Sequence, residues 1–207
     1  LRRSADREEQ EQVRAQAATS LGSLCAGAPE AARLDVVACL LGVLADERST
    51  GAPVRQGIVL AFGRLVEAGE DPRDQAARVA LRAVVEGGER AARGLALLAL
   101  AEIAGRPSRN DGETTLVAAL VPARATEEYL RATLLASKGP LRAWAALALG
   151  LHGYALARRG LALEESSRGA LARRARGERA AESASALALA AGLAGAGGAL
   201  ATLEERS

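Results

Sequence analysis

The sequence predicts an all-α fold, an α-solenoid of about five stacked antiparallel helix pairs. Three observations predict it. Ala, Leu and Arg supply 50, 32 and 26 of the 207 residues, and all three are good helix formers. Strand material is scarce, with 12 Val, 2 Ile, 1 Phe, 1 Trp and 2 Tyr, which argues against a sandwich, a barrel or a mainly parallel sheet. The third observation is an apolar pattern that returns about every 40 residues, a period typical of paired-helix repeats.

Five segments carry that pattern: VRAQAATSLGSL from Val13, VRQGIVLAFGRL from Val54, ARGLALLALAEI from Ala92, LRAWAALALGLH from Leu141 and AESASALALAAG from Ala181. They predict the second helix of each pair near residues 11–26, 53–68, 89–105, 140–158 and 179–192. Aligned, they form columns. One reads Ala17, Ile58, Ala96, Ala145 and Ser185, another Leu21, Phe62, Leu100, Leu149 and Leu189, and a third Gly22, Gly63, Ala101, Gly150 and Ala190. Such spacings trace one helix face. Gly or Ala in the third column predicts close helix crossings, because Gly inside a helix otherwise costs about 1 kcal/mol relative to Ala.

The first helices of the pairs fall between these segments. Ala31 to Asp46 is the clearest, with Leu34, Val37, Leu41 and Leu44 on one face; Pro72 to Val85 and Leu161 to Arg176 take the same role. Breakers mark turns at 27–30, 49–53, 69–71 and 138–140. Pro53 and Pro140 stand just before Val54 and Leu141, where proline is tolerated at a helix start. An inserted loop is expected over 105–115, followed by two short helices at Leu116 to Ala125 and Glu127 to Ser137.

The run Val13-Arg14-Ala17-Leu21-Gly22-Leu24, and nearly as well Leu141-Arg142-Ala145-Leu149-Gly150, resembles the HEAT-repeat family, in particular short bacterial HEAT repeats and the HEAT-like repeats of phycobilisome lyases. The resemblance covers roughly residues 11 to 193. It implies a right-handed superhelix whose second helices line a concave binding face, over residues 1–207 as a single unit. It also implies that the arginine of each repeat pairs with an aspartate in the preceding turn, a part that Asp46 before Arg55 would play.

Chemistry-bearing residues are few. His152 is the only histidine, so metal sites and His-assisted nucleophiles have almost no material; it falls on the column of Leu24, Leu65 and Ile103, as a core histidine would. Walker A, G-x-S-x-G and G-x-G-x-x-G motifs are absent. The adjacent acids Glu8-Glu9, Glu127-Glu128 and Glu164-Glu165 point about 100° apart on a helix and are expected on solvated faces. Cys25 and Cys39 lie in apolar surroundings and are expected to be small buried thiols. No catalytic residue, metal or cofactor is assigned.

Lys plus Arg is 27 against 25 for Asp plus Glu, and the aromatic residues total four. Balanced charge and so few stacking platforms argue against nucleic acid. Ser183 to Leu203 carries no charge, but its Gly and Ala content argues against a membrane span. The charged start RRSADREEQEQ has no secretory pattern; the compartment stays open, with the cytoplasm slightly favoured. The absence of Met suggests a portion of a longer chain.

The expected function is a non-catalytic scaffold that binds another protein through its concave face. Alternatives are a module stacking end to end with copies of itself, and a HEAT-like lyase or DNA-repair-type enzyme. Candidate partner-binding residues are the ladder Arg14, Arg55, Arg93 and Arg142, and the aromatics Tyr129, Trp144 and Tyr154. For the ladder a second role stays open, hydrogen bonding between turn and helix. For the aromatics the alternative is core packing.

Overall fold

In the computed structural model, residues 2–46, 50–106, 116–178 and 180–195 are described. Among them the chain is all-helical, with no strand: α1 (Arg2–Cys25), α2 (Glu30–Ala45), α3 (Ala52–Leu65), α4 (Pro72–Gly87), α5 (Arg90–Gly105), α6 (Leu116–Ala136), α7 (Gly139–Ala157), α8 (Glu165–Gly177) and α9 (Ala181–Leu193). The five segments of the repeating pattern become α1, α3, α5, α7 and α9.

Local chemistry accounts for the helix starts. Pro53 and Pro140 lie in the first turns of α3 and α7, and Pro72 opens α4, positions where the missing N–H would have had no intrahelical partner. Asp71 caps α4 by accepting a 2.8 Å hydrogen bond from the Arg73 amide. At its far end α7 closes in a Schellman motif: the Leu161 amide donates to the Leu156 carbonyl and the Gly160 amide to that of Ala157, with Gly160 at φ +72°.

The chain divides into two compact units, residues 1–99 and 100–207. In the first, α1 packs on α3 and α2 packs on α4, while α2 also meets α1 and α3. The α1 and α3 backbones come close enough that a Cβ on Gly22 would stand 2.6 Å from the Ala61 Cα, and one on Gly57 would stand 2.5 Å from the Ala15 carbonyl oxygen. Both contacts advance in the same direction along the two helices, so α1 and α3 run parallel. Leu34, Val37, Leu40, Ile58, Phe62, Leu65 and Leu81 fill the space between the rows.

The second unit repeats the arrangement. There α7 packs on α9, α6 on α8, α6 on α7 and α8 on α9. A Cβ on Gly150 would meet the Ala190 Cα at 2.6 Å, and one on Gly153 would meet the Ala194 Cα at 3.2 Å, so these helices are also parallel. Its core is built on Ile103, Leu130, Leu134, Leu149, Leu156 and Leu171. The small-residue column thus marks helix crossings in both units.

Several expectations are corrected. The two short helices expected at 116–125 and 127–137 are one helix, α6, because no Gly or Pro separates Ala125 from Glu127. Helix α1 begins at Arg2, well before the expected start at residue 11, since RRSADREEQEQ contains good helix formers and no breaker. The Leu column is core only in its middle: Phe62, Leu100 and Leu149 are buried, whereas Leu21 on α1 and Leu189 on α9 are exposed. On α2, Leu34, Val37 and Leu40 are buried, and Leu41 and Leu44 only partly. Cys25 is half-buried and Cys39 exposed, both free thiols. Of the inserted loop, residues 107–115 lie outside the described residues, as do residues 196–203 of the uncharged stretch. No helix among the described residues is long and apolar enough to cross a membrane.

Candidate functional site

The arginines divide by what they touch. The Arg93 Nε donates at 2.7 Å to the Val85 carbonyl near the end of α4, and the Arg142 Nε donates at 2.9 Å to the Ser137 carbonyl just after α6. Each thus ties the start of one helix to the end of the helix before it, where carbonyls lack intrahelical donors. Arg142 also pairs with Glu178 at 3.2 Å. Arg55 lines an open cleft of about 390 Å³ with Leu41, Leu44 and Val84, and Arg14 is exposed on α1. The four thus differ in what they touch.

Arginines outside the ladder also donate to backbone carbonyls, a role that spacing along one helix does not reveal. Arg33 donates to the Leu65 carbonyl at 2.8 Å, Arg174 to that of Leu135 at 2.6 Å, and Arg78 to the carbonyls of Glu67 and Gly69. Burial holds the Arg78 guanidinium below its ordinary pKa, although Asp74 opposes the shift. Arg33 is the most buried of the group, at 1% exposure. Its two terminal nitrogens meet the two Asp74 oxygens at 2.8 and 2.9 Å, and Glu67 stands 3.7 Å from its Nε. Burial would lower its pKa; the Asp74 hydrogen bond and charge, with Glu67 and Glu30, carry it above the ordinary value. Asp74 lies in the Pro72 to Val85 segment, and the spacing to Arg33 is about one repeat, yet nothing in its own neighbourhood marks it as buried.

The second unit buries the polar residues Thr126, Glu127, His152, Ser167 and Ser183. Glu127, expected on a solvated face, is 1% exposed. Its Oε1 accepts from the Glu164 amide at 2.7 Å, at the start of α8, and its Oε2 accepts from Arg124 at 2.6 Å. It is therefore a remote N-terminal cap with both oxygens engaged, a role invisible to local spacing. His152 is fully buried, as its column predicts. Burial depresses its pKa below 6.5, against the opposing influence of Glu127 and of the Ala101 and Ala123 carbonyls. Neither ring nitrogen reaches a partner with normal hydrogen-bond geometry. Among the described residues no cluster of His, Cys, Asp and Glu could hold a metal ion.

Trp144 and Tyr154 lie apart on α7. Trp144 is half-buried at the start of α7, in a shallow cleft of about 170 Å³ with Pro140, Leu147 and Ser183. Tyr154 lies ten positions later on α7, about 15 Å along its axis, and is 46% exposed. Tyr129 is half-buried on α6. Tyr154 borders a groove of about 440 Å³ in the second unit, lined also by Glu102, Gly105, Arg106, Leu151, Ala155, Arg158 and Arg159. The C-terminal ends of α5 and α7 form its walls, and a Cβ on Gly105 would stand 2.5 Å from that of Ala155, so the two helices nearly touch at its floor.

No protein-family model, no curated protein and no solved structure matches the chain.

Proposed function

We propose that the chain is a HEAT-like α-solenoid, a right-handed superhelix of about five helix pairs, that acts as a non-catalytic scaffold for another protein. One observation carries this reading. Within each unit, the second helices of successive pairs run parallel and touch through Gly and Ala, while the first helices touch one another alongside. Stacked pairs of that kind bury a continuous ribbon of core and leave a long surface for a partner. The hydrogen bonds of Glu127 with the Glu164 amide and Arg124 support a structural role for this buried carboxylate.

Small-angle scattering tests the architecture. A compact fold of this length has a radius of gyration of about 17 Å; a value clearly above it supports the solenoid, and one at it overturns the solenoid. Affinity capture by the full chain, with cross-link mapping, tests the role. A stoichiometric protein partner supports it, and its absence for a folded chain at micromolar concentration overturns it.

A second reading rests on a separate observation. The face of α1 turned away from α3 exposes Val13 and Leu24, at 63% and 78%, and α9 exposes Leu189 at 58%. Copies stacking end to end would cover such faces. A sedimentation mass of 21.2 kDa at all concentrations would remove this reading.

A further inference from the structure

The groove between the ends of α5 and α7 has a charge pattern that helix capping does not explain. Cationic side chains at a helix C-terminus are ordinarily assigned to the last carbonyls and the helix dipole. At α7 three of those carbonyls are already occupied: Tyr154 accepts from the Arg158 amide, Leu156 from the Arg159 and Leu161 amides, and Ala157 from the Gly160 amide. The Schellman turn therefore leaves the Arg158 and Arg159 guanidiniums without capping work. Arg158 is exposed and Arg159 half-exposed. Among the described residues, both border the groove, together with Arg106, against one carboxylate, Glu102.

Beneath the cations the floor is apolar, formed by Leu151 and Ala155, and Tyr154 offers a ring with a hydroxyl at one side. An arginine fork matches a carboxylate in plane and with two parallel hydrogen bonds. An apolar floor beside such forks suits a segment that carries a hydrophobic side chain next to its acids. Among the described lining residues Tyr154 is the one aromatic, too few to form stacking platforms for successive bases. We infer that this groove binds an acidic peptide segment of a partner protein, with Arg158 and Arg159 gripping its carboxylates and Leu151, Ala155 and Tyr154 receiving an adjacent apolar side chain. The inference rests on the protein-binding reading above and names the chemistry of the partner.

Fluorescence anisotropy on the full chain tests it with three labelled probes: a short peptide of alternating Glu and Leu, its Gln and Leu counterpart, and a single-stranded oligothymidine. The Glu and Leu peptide is expected to bind most tightly. The double variant Arg158→Glu with Arg159→Glu should weaken it about tenfold or more, Tyr154→Ala should weaken it less, and the equally charged control Arg90→Glu with Arg173→Glu should leave it unchanged. Circular dichroism checks that each variant is folded. Equal affinity for the Gln peptide, indifference to the Arg158 and Arg159 reversal, or tighter binding of oligothymidine overturns the assignment. Such a result leaves the scaffold reading standing wherever a captured partner cross-links elsewhere, so the two failures are distinguishable.

Discussion

Arg33 on α2 and Asp74 on α4 lock together as a bidentate pair at 2.8 and 2.9 Å, both side chains almost wholly withdrawn from solvent. A buried pair gains little over a well-packed apolar substitute, but removing one partner strands the other charge. Asp74→Ala is therefore expected to destabilise the chain by about 3–5 kcal/mol in chemical denaturation. The double change Arg33→Met with Asp74→Leu should recover most of that loss. A loss in the double variant equal to the sum of the losses of its two component single variants would show that the pair has no energetic coupling.

Glycines at helix crossings and glycines facing open space should respond oppositely to a methyl group. At Gly150 the new Cβ would meet the Ala190 backbone at 2.6 Å, while at Gly42 in α2 it would meet nothing within 4 Å. Gly150→Ala should cost about 1–3 kcal/mol. Gly42→Ala should add about 0.5–1 kcal/mol through better helix propensity. Thermal unfolding of the two variants reads the opposite signs directly.

The neutral preference of His152 makes folding pH-dependent with a definite sign. Its ordinary value is 6.5 and the folded value lies lower, so below about pH 6.5 the unfolded chain binds the proton more readily. Stability should then fall as pH drops through 6.5 toward the folded value, with a slope of at most about 1.4 kcal/mol per pH unit. His152→Leu should flatten that slope between pH 7.5 and 5.5, in denaturant titrations at fixed salt. An unchanged slope would move the effect to other groups.

Arg142 should not tolerate lysine. Its Nε serves the Ser137 carbonyl while a terminal nitrogen reaches Glu178, and a lysine has one nitrogen for both. Arg142→Lys is expected to lose about 0.5–1.5 kcal/mol, the usual net worth of a hydrogen bond, with Arg142→Ala losing somewhat more. Hydrogen exchange should quicken at the end of α6 in both.

Helix existence was legible because the columns are periodic: Ile58, Phe62 and Leu65, or Ala145, Leu149 and His152, announce one face with nothing but spacing. The crossings at Gly22 and Gly150 were legible for the same reason. What escaped were partnerships between residues far apart in the chain. Glu127 looks like half of a solvated acid pair until the Glu164 amide is placed against it, and Arg33 sits in a sequence where nothing distinguishes it from the other arginines. Long arginines reach several residues beyond their own helix, so spacing along one helix carries no record of the carbonyl they meet. The Tyr154 groove combines both kinds: the tyrosine stands out as a rare residue, whereas the freedom of Arg158 and Arg159 depends on how the Gly160 turn satisfies the backbone.

Alanine and glycine have no side-chain rotamers to lose. Where α1 crosses α3 and α7 crosses α9, contact is thus made by atoms whose positions are set once the backbone is set. Joining such helices freezes little beyond the chain itself, unlike a seam of leucines, in which every residue must also choose a rotamer. The arrangement leaves correspondingly little room for adjustment, because a backbone cannot rotate out of the way as a side chain can. Variation in this protein should accordingly gather on the outer faces and spare the crossings.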